Sequence, residues 1–83
     1  SYENFTPKYN NSNYILCFGR IEKHKGVKTL IEAMRYVRYP NLYVVGEGNY
    51  KNELEKYVKK NQIKKVFFLG FKTERELEEV IKN

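Results

Sequence analysis

The stretch "YILCFGRIEKHKGVKTLIEAMRYVRYPNLYVVGEG", residues 14–48, decides the fold because it sets a helical pattern between two apolar runs that end in glycine. The apolar residues at the spacing of one helix face are Val27, Leu30, Ile31, Met34 and Val37. Pro40 predicts the end of this helix near Tyr39, because proline disfavours helical geometry in the preceding residue and donates no backbone hydrogen bond. The stretch therefore predicts a strand, a helix and a strand.

The rest of the chain continues this alternation. The run VFFLG, residues 66–70, is a third apolar segment closed by glycine. One helical pattern follows Gly48 and ends near Asn61, and another follows Thr73, which has Glu76 as a capping-box partner. Continuous apolar runs are typical of strands with helices on both faces, which indicates a parallel sheet. The sequence predicts an α/β fold: a three-stranded parallel β-α-β-α-β-α unit, half of a Rossmann-like domain.

The length of 83 residues is enough for one small domain. Residues 1–12 are predicted to be a polar lead-in segment, and residues 13–83 a partial Rossmann-like domain. The sequence does not start with methionine, and its last helical pattern runs to its end. We therefore expect an excised piece of a larger protein.

Charge and cysteine content narrow the class of protein. Sixteen Lys and Arg residues against ten Asp and Glu residues give a formal charge of +6, which fits either an anionic partner or a solvated cationic surface. Cys17 is the only cysteine, so no internal disulfide can form, and an intracellular origin is favoured. Without a signal segment or a membrane-length apolar run, we expect a soluble cytoplasmic protein. Peripheral contact of the full-length protein with a membrane stays open.

Candidate binding residues follow the predicted strands, because ligands of open α/β sheets lie beyond the carboxyl ends of the strands. The three connections at this edge are residues 19–26, 46–50 and 70–73. The first connection carries four basic residues between two glycines. It is therefore the strongest candidate for an anion site.

Arg20 and Lys25 are the basic residues best suited to a diphosphate. The planar guanidinium of Arg20 can bind two phosphate oxygens, and Lys25 supplies a mobile point charge. Gly19 and Gly26 permit sharp turns and the close approach of a ligand. The alternative is that Arg20 and Lys25 pair with Glu22 or with the helix, and that the glycines only form turns. Both interpretations stay open at this point.

The other two basic residues of this connection, Lys23 and His24, are interpreted as loop surface. His24 is the only histidine of the chain. A zinc site needs several His or Cys ligands, and a Ser-His-Asp set needs all three members, so the sequence supports neither. No metal, no cofactor and no complete catalytic set is predicted.

Two further motifs are interpreted as accidental. Gly46 and Gly48 form a G-x-G after the second strand, but Lys51 stands where a dinucleotide fingerprint has its third glycine. Glu47 and Glu55 match an E-x7-E pattern. A strand end and the polar side of a helix do not bring two carboxylates to one ligand, however. The sequence therefore predicts neither a nicotinamide site nor a paired-glutamate site here.

Three segments form a recognisable set. They are ILCFGRIEKHKGVKTLIEAM, residues 15–34, LYVVGEGNYKNELEKYV, residues 42–58, and VFFLGFKTERELEEVI, residues 66–81. In this order they resemble the C-terminal, donor-binding domain of family 4 glycosyltransferases with the GT-B fold. The resemblance covers residues 13–83 and implies that they are a partial nucleotide-sugar-binding domain. It also implies a retaining, metal-independent glycosyltransferase of the hexosyltransferase type.

The resemblance implies roles for individual residues. Arg20 and Lys25 would contact the diphosphate of the nucleotide-sugar and stabilise the charge on the leaving nucleoside diphosphate. The turn formed by Gly70, Phe71 and Lys72 would meet the nucleobase through backbone groups. The residues of the donor-site backbone would be Gly19, Gly26, Gly48, Gly70, Phe71 and Lys72.

By the same resemblance, two parts of the active site fall outside the chain. The family's glutamate pair follows the last residue and its acceptor-binding domain precedes the first, so the chain alone is expected to bind donor weakly and to transfer no sugar. An open sheet edge beside the first strand is expected to promote self-association. The alternative function is a basic α/β module that binds RNA or single-stranded DNA. Nucleic acid is disfavoured as a partner because most aromatic residues fall on core stripes.

Overall fold

Strands and helices alternate along most of the chain. The structure, a computed structural model, describes residues 6–10, 14–23, 26–38 and 40–82. The strands are β1 (Thr6–Asn10), β2 (Tyr14–Phe18), β3 (Asn41–Val45) and β4 (Val66–Gly70). The helices are α1 (Val27–Ala33), which continues into a 3₁₀ turn over Met34–Tyr36, α2 (Lys51–Lys60) and α3 (Glu74–Lys82). From β2 onward, this is the predicted order.

The strands form one sheet in the order β1-β2-β3-β4. β2, β3 and β4 are parallel, with Ile15 opposite Leu42 and Tyr43 opposite Phe67. The connections between these strands contain α1 and α2, as parallel neighbours require a crossover. The prediction of three parallel strands that alternate with helices in a Rossmann-like α/β arrangement is confirmed.

β1 was not predicted. It lies within the polar lead-in segment and pairs antiparallel with β2, so that Thr6 is opposite Phe18 and Asn10 is opposite Tyr14. The segment TPKYN has no apolar run to mark a strand, but an edge strand tolerates polar residues and proline because one of its sides makes no ladder hydrogen bonds. The expectation of an open edge beside the first parallel strand is therefore wrong, because β1 occupies that edge.

One face of the sheet packs against α1 and α2. Leu42 and Val44 of β3 are fully buried together with Ile31 of α1 and Leu54 of α2. Burying an apolar side chain of this size contributes roughly 1.5–3 kcal/mol relative to exposing it. These contacts hold the two helices on the sheet and so fix where the connections begin and end.

The first helix ends earlier than its apolar pattern predicted. The backbone N–H of Met34 donates to the carbonyl oxygen of Ile31, which is the spacing of a tightened last turn. Val37 then adopts an extended backbone and is 40% exposed. Val37 therefore lies in the connection to β3 and does not join the buried face of the helix.

The other face of the sheet carries a row of aromatic rings. The rings of Tyr14 and Tyr43 have their centroids 5.7 Å apart, and those of Tyr43 and Phe67 are also 5.7 Å apart. Leu77 of α3 packs against the apolar cluster on this face. Phe67 is nevertheless 43% exposed, because α1 and α2 cover the opposite face. The continuous apolar run of residues 66–70 predicted helices on both faces of this strand, and that expectation is wrong at Phe67.

The end of α2 follows the prediction and has an unusual residue after it. Asn61 is the C-cap of α2. After it, the N–H of Gln62 donates to the carbonyl oxygen of Lys59 at 3.2 Å, and the N–H of Ile63 donates to the carbonyl oxygen of Val58 at 3.0 Å. This pair of bonds defines a Schellman motif, which needs a left-handed residue and usually has glycine there. Here Gln62 takes that position with φ of 54°.

The start of α3 has the predicted capping box. The hydroxyl oxygen of Thr73 accepts a hydrogen bond from the N–H of Glu76 at 3.1 Å, and the N–H of Thr73 donates to a Glu76 carboxylate oxygen at 2.9 Å. Two backbone groups that the helix leaves unpaired are thereby satisfied. None of the helices in the described ranges combines the length and the apolar character needed to cross a membrane.

Candidate functional site

The connections that follow the parallel strands lie side by side at the carboxyl edge of the sheet. The N–H of Gly19 donates to the carbonyl oxygen of Val45 at 3.2 Å, and the N–H of Ile21 donates to that of Glu47 at 3.0 Å. These bonds continue the parallel ladder between β2 and β3 beyond the strands themselves. The first two connections are therefore held together by backbone atoms.

The third connection joins in the same way. The N–H of Gly46 donates to the carbonyl oxygen of Gly70 at 2.7 Å. The N–H of Tyr50, at the start of α2, donates to the carbonyl oxygen of Ile21 at 3.0 Å. The described parts of the three predicted connections thus form one continuous surface, which we call the carboxyl edge.

The G-x-G of residues 46–48 has a structural reason that the sequence analysis missed. A Cβ atom on Gly46 would lie 2.0 Å from the carbonyl oxygen of Gly19, and one on Gly48 would lie 2.2 Å from that of Ile21. Both distances are far inside van der Waals contact with backbone atoms, so no side chain fits. The two glycines allow the second connection to approach the first.

Arg20 projects from the first connection towards solvent. Its side chain is 64% exposed, and its Nε atom donates to a carboxylate oxygen of Glu22 at 2.8 Å. The pairing with Glu22 that the sequence left open is therefore present. An exposed pair of this kind contributes only about 0.2–1 kcal/mol, so it does not compete strongly with a dianionic ligand. This bond uses Nε, so the two terminal nitrogens of the guanidinium take no part in it.

The turn after β4 presents an aromatic ring and a cation. Gly70 has φ of 75°, Phe71 is 72% exposed, and Lys72 is half-buried. A Cβ atom on Gly70 would lie 3.2 Å from a carboxylate oxygen of Glu47, which is closer than most such contacts. The turn therefore packs closely on the second connection and exposes Phe71 at its tip.

The comparison with protein families decides the class of the molecule. Residues 2–83 match the family described as glycosyl transferases group 1. The chain belongs to this family. No curated protein and no solved structure matches the chain. The match covers nearly the whole length of the chain and supports a role in glycosyl transfer.

In this glycosyl transferase chain, the first connection is described only in part. Lys25, predicted as a diphosphate contact, and His24 lie outside the described residues. Gly26 is described and precedes α1 in a left-handed conformation with φ of 82°, and its carbonyl oxygen accepts from the N–H of Leu30 at 3.3 Å. Of the two predicted cations, the structure therefore places Arg20 alone.

A second ion pair at the carboxyl edge of this glycosyl transferase was missed from the sequence. The Lys51 ammonium donates to the two carboxylate oxygens of Glu47 at 3.1 and 3.3 Å. The Lys51 side chain is only 19% exposed, and a Cβ on Gly70 would lie 3.9 Å from its Nζ. The signal was the spacing of Glu and Lys four residues apart.

The remaining reactive groups have structural surroundings. Cys17 is completely buried, and desolvation raises the pKa of its thiol to about 12, so it is not a nucleophile at neutral pH. Within the described ranges, no three His, Cys, Asp or Glu residues lie close enough together to hold a metal ion. Tyr50 is buried and Tyr57 packs against the core, which leaves neither ring free to stack on a base.

Proposed function

We propose that the chain is the first half of the donor-binding domain of a retaining family 4 glycosyltransferase with the GT-B fold. Such an enzyme, of the hexosyltransferase type, transfers a sugar from a nucleotide-sugar to an acceptor. The observation that carries the proposal is the carboxyl edge: in a group 1 glycosyl transferase chain, three connections are joined by backbone hydrogen bonds at the edge where α/β sheets bind ligands.

Arg20 is the residue on which the chemistry of this proposal rests. Its exposed guanidinium offers two terminal nitrogens to two phosphate oxygens of the donor. Cleavage of the bond between sugar and phosphate leaves additional negative charge on the nucleoside diphosphate. A fixed cation there stabilises the transition state more than the ground state, and Lys25 would supply a second charge from the same connection.

The turn after β4 is the proposed nucleobase edge. Phe71 is exposed beside the backbone of Gly70, so a flat base can lie against the turn and form hydrogen bonds with its backbone groups. Lys72 adds positive charge near the nucleotide. Gly19 and Gly48 keep side chains out of the floor between this turn and Arg20, which leaves the donor in contact with backbone atoms.

The test is a titration of the 83-residue chain with nucleoside diphosphates, followed by amide chemical shifts. We expect shifts at residues 19–23 and 70–73 that saturate at millimolar concentration, and a loss of the shifts in Arg20→Gln. Lys56→Gln removes one exposed cation from the middle of α2 and serves as the matched control. Shifts that are as large in Arg20→Gln as in the control, or that cluster away from the carboxyl edge, would overturn the proposal.

A further inference from the structure

The opposite edge of the sheet carries an uneven charge distribution. The connection before β3 contributes residues 35–38, and the end of α2 with the connection before β4 contributes residues 59–65. We call these two segments the amino-edge patch. They contain no acidic residue. Their six cationic residues are Arg35, Arg38, Lys59, Lys60, Lys64 and Lys65.

The two segments face each other in the structure. Together they line an open cavity of about 240 Å³, whose apolar part includes Met34 and Ile63 and whose rim carries Arg35 and Lys64. Met34 and Ile63 belong to the core, so the floor of the cavity is part of the packed core. The patch is therefore a defined surface formed by two segments.

The structure accounts for some of these charges. Arg35 donates to a Glu32 carboxylate oxygen at 3.3 Å, and the same carboxylate accepts a hydrogen bond from the Tyr57 hydroxyl. Lys59 and Lys60 lie in the last turn of α2, where positive charge is favourable beside the negative end of the helix dipole.

Arg38 and Lys64 have no such explanation. Both are exposed, and none of the carboxylates in the described ranges lies within ion-pair distance of either residue. Neither residue belongs to a helix or a strand, so neither offsets a helix dipole. Within the part of the chain that the structure describes, these two cations therefore have neither a carboxylate partner nor a helix end that accounts for them.

Apolar side chains project from the same patch. Tyr36 is 82% exposed, the highest value among the large hydrophobic residues that the structure describes, and Val37 beside it is 40% exposed. They lie in sequence between Arg35 and Arg38. An exposed tyrosine and an aliphatic residue among cations are typical of surfaces that enter the headgroup layer of a bilayer.

We infer that the amino-edge patch docks on an anionic lipid bilayer. Arg38 and Lys64 meet lipid phosphate or carboxylate groups, while Tyr36 and Val37 enter the interface. A bilayer accommodates aliphatic and aromatic side chains alike, whereas single-stranded nucleic acid binds to successive stacked aromatic rings and the patch contains one. Docking by this edge leaves the carboxyl edge, on the other side of the sheet, directed away from the membrane. The inference does not depend on the proposed donor site.

Partition of the 83-residue chain onto sedimented vesicles tests the charges. We expect binding to vesicles of phosphatidylserine and phosphatidylcholine that weakens as salt is raised, and little binding to phosphatidylcholine alone. Each cation near an anionic surface contributes about fivefold to partition, so Arg38→Gln with Lys64→Gln is expected to reduce partition about 25-fold. The control removes the same charge elsewhere through Lys56→Gln with Arg75→Gln and is expected to keep most of the binding. Equal losses in the two double variants would overturn the inference, because binding would then follow net charge alone.

A fluorescent reporter tests which edge meets the lipid. The sequence contains no tryptophan, so Tyr36→Trp and Phe71→Trp each introduce a single reporter, one at each edge. Anionic vesicles are expected to shift the emission of Tyr36→Trp to shorter wavelength and to leave that of Phe71→Trp unchanged. A shift at Phe71→Trp, or none at either position, would contradict the inference. The inference would also be contradicted if anionic vesicles did not bind the chain and oligothymidylate bound it tightly through Arg38 and Lys64.

Discussion

The two edges of the sheet differ in how closely their segments approach each other. At the carboxyl edge, backbone hydrogen bonds of 2.7–3.2 Å join the connections, and Gly46 and Gly48 remove the side chains that would separate them. At the amino edge, the N–H of Leu42 donates to the carbonyl oxygen of Lys65 at 2.7 Å, but the two segments of the amino-edge patch line an open cavity. Gln62 has a left-handed backbone there that glycine would adopt more easily. Fixed geometry suits a site that must position a reacting group, whereas a surface of exposed charged side chains suits a large and variable partner.

The largest expected effect concerns the backbone contacts of the carboxyl edge. Gly46→Ala places a methyl group 2.0 Å from the carbonyl oxygen of Gly19 at a φ of 131°, so we expect a loss of about 3 kcal/mol or more in the free energy of unfolding. Urea denaturation measures this loss. Gly26→Ala is the control, since its φ of 82° carries strain but nothing lies within 4 Å of the added atom. Equal losses of unfolding free energy in the two variants would mean that the first two connections can move apart at little cost in free energy.

The next effect concerns turnover by a transferase that contains this chain. Arg20→Ala is expected to reduce kcat by about 10²-fold or more, because removing one group that stabilises leaving-group charge typically has an effect of this order. Lys56→Ala removes an exposed cation of α2 and is expected to leave kcat unchanged. Steady-state kinetics with a nucleotide-sugar donor provides the measurement. An Arg20→Ala enzyme with normal kcat and a raised KM would assign Arg20 to donor binding alone.

A smaller effect of opposite sign is expected at the amino edge. Gln62→Gly relieves the left-handed strain after α2 and keeps the Schellman hydrogen bonds, so we expect a gain of about 0.5–1 kcal/mol in the free energy of unfolding. Urea denaturation again measures the change, with Asn49→Gly as a comparison at a position outside this motif. A destabilised Gln62→Gly variant would show that the glutamine side chain contributes more than its backbone conformation costs.

The smallest effect concerns pH and the first turn of α3. The hydrogen bond from the Thr73 N–H holds the pKa of the Glu76 carboxyl below its usual range. A carboxyl whose folded pKa is lowered stabilises the fold above its unfolded pKa, and this contribution disappears as pH falls through the folded pKa. Carbon chemical shifts of Glu76 measure the titration. Thr73→Ala keeps the backbone N–H donor and removes the hydroxyl, so the pKa of Glu76 is expected to rise only part of the way to its usual value. A full return to the usual value would mean that the hydroxyl holds the whole capping box in place.

The sequence predicted those parts of the fold that depend on local pattern. Continuous apolar runs identify β2, β3 and β4, and the Thr73 and Glu76 pair identifies the start of α3. The carboxyl edge followed from these elements, because parallel strands direct their ends to the same side. Patterns of this kind are determined within a few residues of each other, and so they can be predicted without coordinates.

The parts that the sequence did not reveal depend on contacts between distant segments. β1 is a strand because β2 offers an open edge, which nothing in TPKYN indicates. Gly46 is required because the backbone of Gly19 approaches it, and the sequence separation of the two residues conceals that contact. The burial of the Lys51 side chain beside Gly70 depends on how closely the last turn packs on the second connection. Arg20 was predicted as a site residue, and whether it binds a diphosphate stays a prediction.

The antiparallel direction of β1 has a practical consequence for work with this protein. Since Thr6 lies opposite Phe18, the first residue of β1 lies beside the carboxyl edge, close to where Arg20 follows β2. A dye attached at Thr6 therefore lies near the proposed donor site and can obstruct it. The same proximity makes that position suitable for a label that reports nucleotide binding by a change in its fluorescence.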